Sequence, residues 1–138
     1  MKRQFFLDRK ERLFSPKTSH EELIRSGDAY LESDRLNDAV AFYRQAGHLE
    51  GLNSIRRRAV EDGDVFLFRE ALDGMETPEV EPDEWRRLAR QAESKGRWQD
   101  ALKAYQQLQD AGGVQRARGV VQRMMQTFES VEDEDPDD

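Results

Sequence analysis

The sequence contains no cysteine. It can therefore form neither disulfides nor thiolate metal sites, and we expect a reducing, cytoplasmic environment. No window approaches the roughly 18 consecutive apolar residues that a membrane-spanning helix needs. The early apolar cluster, residues 5–7, is too short for the core of a signal peptide and is followed at once by charges. We therefore expect a protein that does not cross a membrane.

The sequence also lacks the patterns that carry catalysis or bind cofactors. His20 and His48 are its only histidines, and each lies at the end of a predicted helix. No HExxH motif, glycine-rich phosphate loop or nucleophile elbow occurs. The acidic stretch EDEDPDD lacks the turn glycine and alternating ligands of a calcium loop. We predict no enzymatic activity, no catalytic residues, no cofactor and no metal site.

Charge is distributed unevenly along the chain. The last ten residues, ESVEDEDPDD, carry seven of the 29 carboxylates and no base, so 22 acids balance 22 bases elsewhere. The first nineteen residues carry six bases against two acids. We predict a basic N-terminal arm over residues 1–19 and a disordered acidic tail over residues 129–138. The balanced middle and the acidic tail argue against a nucleic-acid partner.

Part of the sequence recurs 62 residues later. Residues 35–45 are RLNDAVAFYRQ and residues 97–107 are RWQDALKAYQQ. The same offset relates further positions, listed as pairs: Arg35 and Arg97, Asp38 and Asp100, Ala39 and Ala101, Tyr43 and Tyr105, Gly51 and Gly113. Such self-similarity indicates a repeat architecture, which presents an extended surface rather than a closed pocket.

Apolar residues recur at helical spacing from residue 20 onward, and no segment alternates as a half-buried strand does. Ser19 followed by Glu22 forms a capping box before the first helix. Glycines and prolines separate the periodic segments. The pattern predicts an all-α protein with helices near 20–32, 35–47, 50–61, 64–75, 83–95, 97–109 and 114–128.

The repeat resembles the tetratricopeptide repeat (TPR), a helix–turn–helix unit of about 34 residues. The residues that carry the resemblance in the last unit are Trp85, Leu88, Ala89, Ala92, Gly96, Trp98, Ala101 and Tyr105. Corresponding residues in the first unit are Leu23, Gly27, Tyr30, Leu36, Ala39, Tyr43 and Ala46, and a middle unit matches more weakly. The resemblance implies an α-α superhelix of about three hairpins plus a C-terminal capping helix, spanning residues 20–128.

The resemblance further implies a concave face formed by the first helix of each hairpin. Its positions include Asp28 in the first hairpin, Asn53 and Arg57 in the second, and Arg86 and Arg90 in the third. The groove would be acidic at its start and basic at its end, which favours a ligand with the opposite charge order. The expected function is that of a non-enzymatic adaptor that binds a peptide or helix, including an acidic one, of another protein.

The predicted last helix has a broad apolar stripe. One interpretation is a terminal cap that covers the last hairpin. The other is that Met124, Met125 and Phe128 remain exposed as an apolar docking face, since methionine-rich surfaces adapt to partners. The alternative function is therefore a structural protein that self-associates weakly through this end and through the apolar residues of the N-terminal arm, Phe5, Phe6 and Phe14.

Overall fold

The computed structural model describes residues 19–133, with side chains described through Val131. Within that range the chain is helical, with no strand, which confirms the all-α prediction. The predictions made for residues 1–18 and 134–138 lie outside the described residues. The seven helices are α1 (His20–Glu32), α2 (Leu36–Ala46), α3 (Leu49–Asp62), α4 (Val65–Asp73), α5 (Pro82–Ser94), α6 (Trp98–Leu108) and α7 (Ala111–Asp133).

The capping residue predicted for α1 is in place. The Ser19 hydroxyl oxygen accepts a hydrogen bond from the Glu22 backbone N–H at 3.2 Å. The backbone carbonyl of Ser19 accepts a second one from the Leu23 N–H at 3.1 Å. The side-chain bond satisfies one of the amides that a helix leaves unpaired at its first turn. The sequence signal therefore predicts where α1 begins.

The 62-residue repeat is a repeat of conformation as well as of sequence. Helices α1 and α5 have 13 residues each, α2 and α6 have 11 each, and all their bounds differ by 62. The turn after the first helix has positive φ at Asp34 (61°) and at Gly96 (73°). The residue that ends the second helix of each hairpin also has the left-handed backbone conformation, with φ of 62° at Gly47 and 56° at Gln109. Equivalent residues thus make equivalent turns.

Each repeat buries small and aromatic side chains between its two helices. In the first hairpin Ala39, Phe42 and Tyr43 are fully buried, and the Tyr30 and Phe42 rings stack with centroids 5.5 Å apart. In the second, Leu88, Ala89, Ala92, Ala101 and Ala104 are fully buried. Ala39 and Ala101, which the 62-residue repeat relates, are thus both fully buried. Alanines at these positions let the paired helices approach closely, and aromatics fill the space beside them.

A tyrosine in each repeat fits into a notch that glycine leaves on the following helix. The Tyr43 ring packs on Gly51 of α3, where a built Cβ would lie only 2.6 Å from ring atoms, and also on Gly27 of α1. The Tyr105 ring packs in the same way on Gly113 of α7. The repeat therefore preserves one packing contact, that of Tyr43 on Gly51 and of Tyr105 on Gly113.

Contacts divide the described chain into two compact units. The first comprises residues 19–59 and 66–79, and the second comprises residues 60–65 and 80–133. In the first unit, Arg58 of α3 pairs with Asp34 at 2.6 Å, and Arg44 of α2 pairs with Glu70 of α4. These pairs tie the turn after α1 to α3, and α2 to α4.

In the second unit the segment 60–65 packs against the turn between α5 and α6. Gly63 (φ 66°) lies against the backbone of Ala92, so that a side chain there would clash. The Val65 N–H donates to the Asp100 carboxylate at 3.2 Å, and the Lys95 ammonium donates to the Glu61 carbonyl at 2.7 Å. These contacts hold the C-terminal end of α5 in place.

Helix α7 differs from its predicted bounds at both ends. It begins at Ala111 rather than 114, because Gly112 and Gly113 adopt helical conformation and Gly113 packs on Tyr105. It continues to Asp133, so residues 129–133 of the expected disordered tail are helical. Once a helix is formed, each added residue gains a hydrogen bond, and glutamate is a good helix former. None of the helices among residues 19–133 combines the length and apolar character needed to cross a membrane.

Candidate functional site

One side of α5, in the second unit, carries a cluster of basic residues. One side of this helix is buried through Trp85, Leu88, Ala89 and Ala92. The opposite side therefore faces outward. That side carries Arg86, Arg87 and Arg90, which we call the α5 arginine face. Arg86 and Arg90, which the sequence analysis assigned to the concave face, are four residues apart and so lie on the same side of α5.

The three arginines differ in whether they form ion pairs within the described chain. The Arg86 guanidinium pairs with the carboxylate of Asp83, one turn earlier on the same helix. Arg87 and Arg90 are exposed, and neither makes a hydrogen bond or ion pair with residues of the described chain. Two unpaired guanidinium groups on a rigid helix are suited to binding carboxylates through charge-assisted hydrogen bonds.

The predicted residues on α3 lie in the first unit. Arg57 is exposed and donates to the Ser54 hydroxyl at 3.4 Å. Asn53, one turn earlier, is half-buried and lines a surface pocket with Arg56 and the segment after α4. Arg56 donates to the Glu79 carbonyl at 2.6 Å, which holds that segment beside the pocket. Asn53 and Arg57 are thus neighbours on one helix, and Arg57 belongs to a different unit from the α5 arginine face.

Asp28 has a structural contact that the sequence did not indicate. Its carboxylate accepts a hydrogen bond from the Tyr43 hydroxyl at 2.6 Å. Burial, reinforced by this hydrogen bond and by the negative charge of Asp28, raises the pKa of Tyr43 above its ordinary value. Asp28 therefore positions the tyrosine that packs on Gly51, and its assignment to the concave face stays a prediction.

A second network in the later unit joins α5 to α7. Arg116 of α7 donates to the Glu93 carboxylate at 2.7 and 3.1 Å and to the Tyr105 hydroxyl at 3.2 Å. Burial and the nearby Glu93 raise the pKa of Tyr105, while Arg116 opposes that shift. Sequence reasoning assigned no role to Arg116, because its counterpart one repeat earlier is Ser54 and its partner is 23 residues away.

The predicted apolar docking residues are all exposed on the second half of α7. Met124 and Met125 are 54% and 57% exposed, and Phe128 is 64% exposed. Val131, which the sequence analysis did not select, extends the same surface at 63%. We call Val121, Met124, Met125, Phe128 and Val131 the α7 apolar face. Gln99, near the start of α6, borders it.

The described residues do not form a metal-binding cluster. No three histidine, aspartate or glutamate side chains converge anywhere between residues 19 and 131. His20 is exposed at the start of α1, and His48 lies against the Tyr43 ring with centroids 5.5 Å apart. Both histidines are therefore placed at helix ends, as the sequence predicted.

Comparison with protein-family models, with curated proteins and with solved structures finds no match to this chain. Among the described residues, the α5 arginine face offers exposed cations and the α7 apolar face offers exposed apolar side chains.

Proposed function

We propose that this chain is a non-enzymatic, TPR-like interaction module. In this proposal the hairpins α1–α2, α3–α4 and α5–α6 form a superhelix, α7 caps it, and the first helices present a groove to a peptide or helix of a partner protein. The fully buried alanines at the hairpin crossings and the repeated turn conformations support this architecture.

The observation that carries the function is the α5 arginine face. Arg87 and Arg90 are exposed and unpaired among the described residues, while the opposite side of α5 is buried and the helix packs on α6. Cations fixed in this way favour a partner segment that supplies carboxylates. The proposed ligand is therefore an acidic peptide or helix, and the balanced charge of the middle of the chain and its acidic last ten residues oppose a nucleic acid.

A charge-reversal pair tests the proposal. The probe is a fluorescein-labelled acidic peptide, ESVEDEDPDD, added in trans and followed by anisotropy at low salt. We expect Arg87→Glu with Arg90→Glu to weaken binding at least about tenfold, since the two unpaired cations of the face become anions that repel the peptide. The matched control is Arg69→Glu with Lys103→Glu, which makes the same change in net charge at two exposed cations elsewhere.

The two variants separate a specific site from general attraction. Equal loss in the control and in the α5 variant would show that the peptide responds only to net charge. Full binding by the α5 variant would exclude the α5 arginine face as the site. Circular dichroism confirms in each case that the helices remain folded.

A second candidate function is assembly of the chain with copies of itself. The observation that favours it is the α7 apolar face, where four large apolar side chains are more than half exposed. Contiguous exposed apolar surface of this kind usually marks an interaction site. An increase of mass with concentration, measured by light scattering, would support assembly over peptide binding alone.

A further inference from the structure

The apolar residues of α7 follow a heptad pattern along the whole helix. Val114, Ala117, Val121, Met124, Phe128 and Val131 are separated alternately by three and four residues. This spacing is that of a helix which pairs with another helix along a single seam. The pattern therefore predicts a helical neighbour over the full length of α7.

Only the first half of this seam has its neighbour. Gly113 and Ala117 are buried where α7 packs on α6, and Val114 and Val121 are half-buried. Helix α6 has 11 residues and α7 has 23, and the face at Val121 and Met124 already borders Gln99 near the start of α6. Residues 122–131 are exposed, so this helix–helix interface continues along α7 for about 15 Å with none of the described helices of the second unit on it.

The charges of α7 indicate which helix, and in which orientation, can pair with the exposed second half of this seam. Arginines 116, 118 and 123 precede Met124, and no acidic residue lies between Ala111 and Phe128. From Glu129 onward the sequence carries only acidic charges. A second α7 laid antiparallel brings the basic half of each helix beside the acidic end of the other, whereas a parallel one sets like charges together.

We propose that the α7 apolar face pairs antiparallel with the same face of a second copy of this chain. The two-fold axis passes near residue 126. Val121 then packs against the partner's Val131, Met124 against the partner's Phe128, and the two Met125 side chains meet beside the axis. A two-fold interface of this kind closes after two copies, because each face is used once.

The first experiment measures mass against concentration for the full chain. Sedimentation equilibrium between about 1 µM and about 0.5 mM covers the range expected for a single helix pair. We expect a monomer–dimer equilibrium that Met124→Ser with Phe128→Ser weakens at least about tenfold. Phe66→Ser is the matched control, since Phe66 on α4 is equally exposed at 64% but lies outside the α7 apolar face.

The second experiment determines orientation, and the absence of native cysteine makes it direct. Antiparallel pairing predicts that Val121→Cys and Val131→Cys chains each stay uncrosslinked alone. Mixed under oxidising conditions, the two chains form a disulfide-linked pair, because the positions face each other across the axis. A parallel pair would instead crosslink Val131→Cys chains to themselves.

Three outcomes would overturn the proposal. A monomer at every concentration would show that no second copy occupies this face. Loss of the dimer in Phe66→Ser to the same degree as in the α7 variant would move the interface elsewhere. Self-crosslinking of Val131→Cys would exclude the antiparallel arrangement. Because every substituted side chain except that of Val121 is mostly exposed, the variants are expected to fold as the native chain does.

Discussion

At the scale of single residues, the tyrosine rings of the repeat occupy the space that a side chain on the facing glycine would need. This explains why Gly51 and Gly113 accompany Tyr43 and Tyr105 at one offset. The sequence showed the recurrence, and it placed Gly112 and Gly113 at the opening of the last helix, just before its predicted start near residue 114. Spacing alone could not distinguish a glycine that breaks a helix from one that admits a neighbouring ring.

Substituting the two adjacent glycines of α7 should have opposite effects. A Cβ at Gly113 would overlap the Tyr105 ring, so we expect Gly113→Ala to lower the free energy of unfolding by about 1–3 kcal/mol. At Gly112 the nearest atom is an Asp110 carboxylate oxygen at 3.6 Å, so Gly112→Ala should leave stability unchanged or raise it by up to about 1 kcal/mol. Urea unfolding followed by circular dichroism measures both. Equal effects would contradict the proposed notch.

The Tyr43 hydroxyl should make stability depend on pH in the alkaline range. Its pKa in the folded chain is raised by burial and by Asp28, whereas in the unfolded chain it is about 10. The unfolded state therefore loses this proton first, so the contribution is complete below about pH 10 and is lost as pH rises toward the folded value.

The matching variant is Tyr43→Phe, which keeps the ring on Gly51 and removes the titrating group. We expect it to cost about 1–2 kcal/mol at neutral pH through loss of the bond to Asp28. Above about pH 10 its unfolding midpoint should fall less steeply than that of the native chain. Parallel pH profiles for the two chains would show that Tyr43 does not contribute to the alkaline transition.

At the scale of helices, the hairpins were the most predictable part of the fold. Trp85, Leu88 and Ala92 recur at helical spacing and are buried together, because local periodicity alone decides which face of α5 turns inward. The bond from Arg116 to Glu93 was not predictable, since it joins two helices whose relative rotation depends on the Gly113 contact. The extent of α7 was also underestimated, because its last turns carry charges that sequence composition associates with disorder.

The crossing of α5 and α6 should not tolerate a larger side chain. Ala101 is fully buried there, and we expect Ala101→Leu to cost about 1–3 kcal/mol through overpacking. Lys103→Leu on the same helix is the control, because Lys103 is exposed and its replacement changes hydrophobicity without entering the crossing. Thermal unfolding of both variants makes the comparison, and an unchanged midpoint for Ala101→Leu would mean that the crossing is loosely packed.

At the scale of the whole molecule, the two candidate surfaces lie on different helices and use different chemistry. The α5 arginine face offers charge, so peptide binding there should weaken steeply as salt is added. The α7 apolar face offers hydrophobic area flanked by charge, so dimerisation should persist at a salt concentration that abolishes peptide binding. One chain could then bind an acidic segment and pair with a second copy at the same time.

The two activities should separate by substitution. Arg87→Glu with Arg90→Glu is expected to lose the acidic peptide and keep the dimer, because α5 contributes no residue to the α7 apolar face. Met124→Ser with Phe128→Ser is expected to lose the dimer and keep the peptide. Anisotropy and sedimentation equilibrium on the same four samples, native, each double variant and the quadruple variant, measure both properties. If either double variant lost both peptide binding and dimerisation, the two surfaces would form one site. The acidic end of a neighbouring α7 would then be the ligand of the arginines.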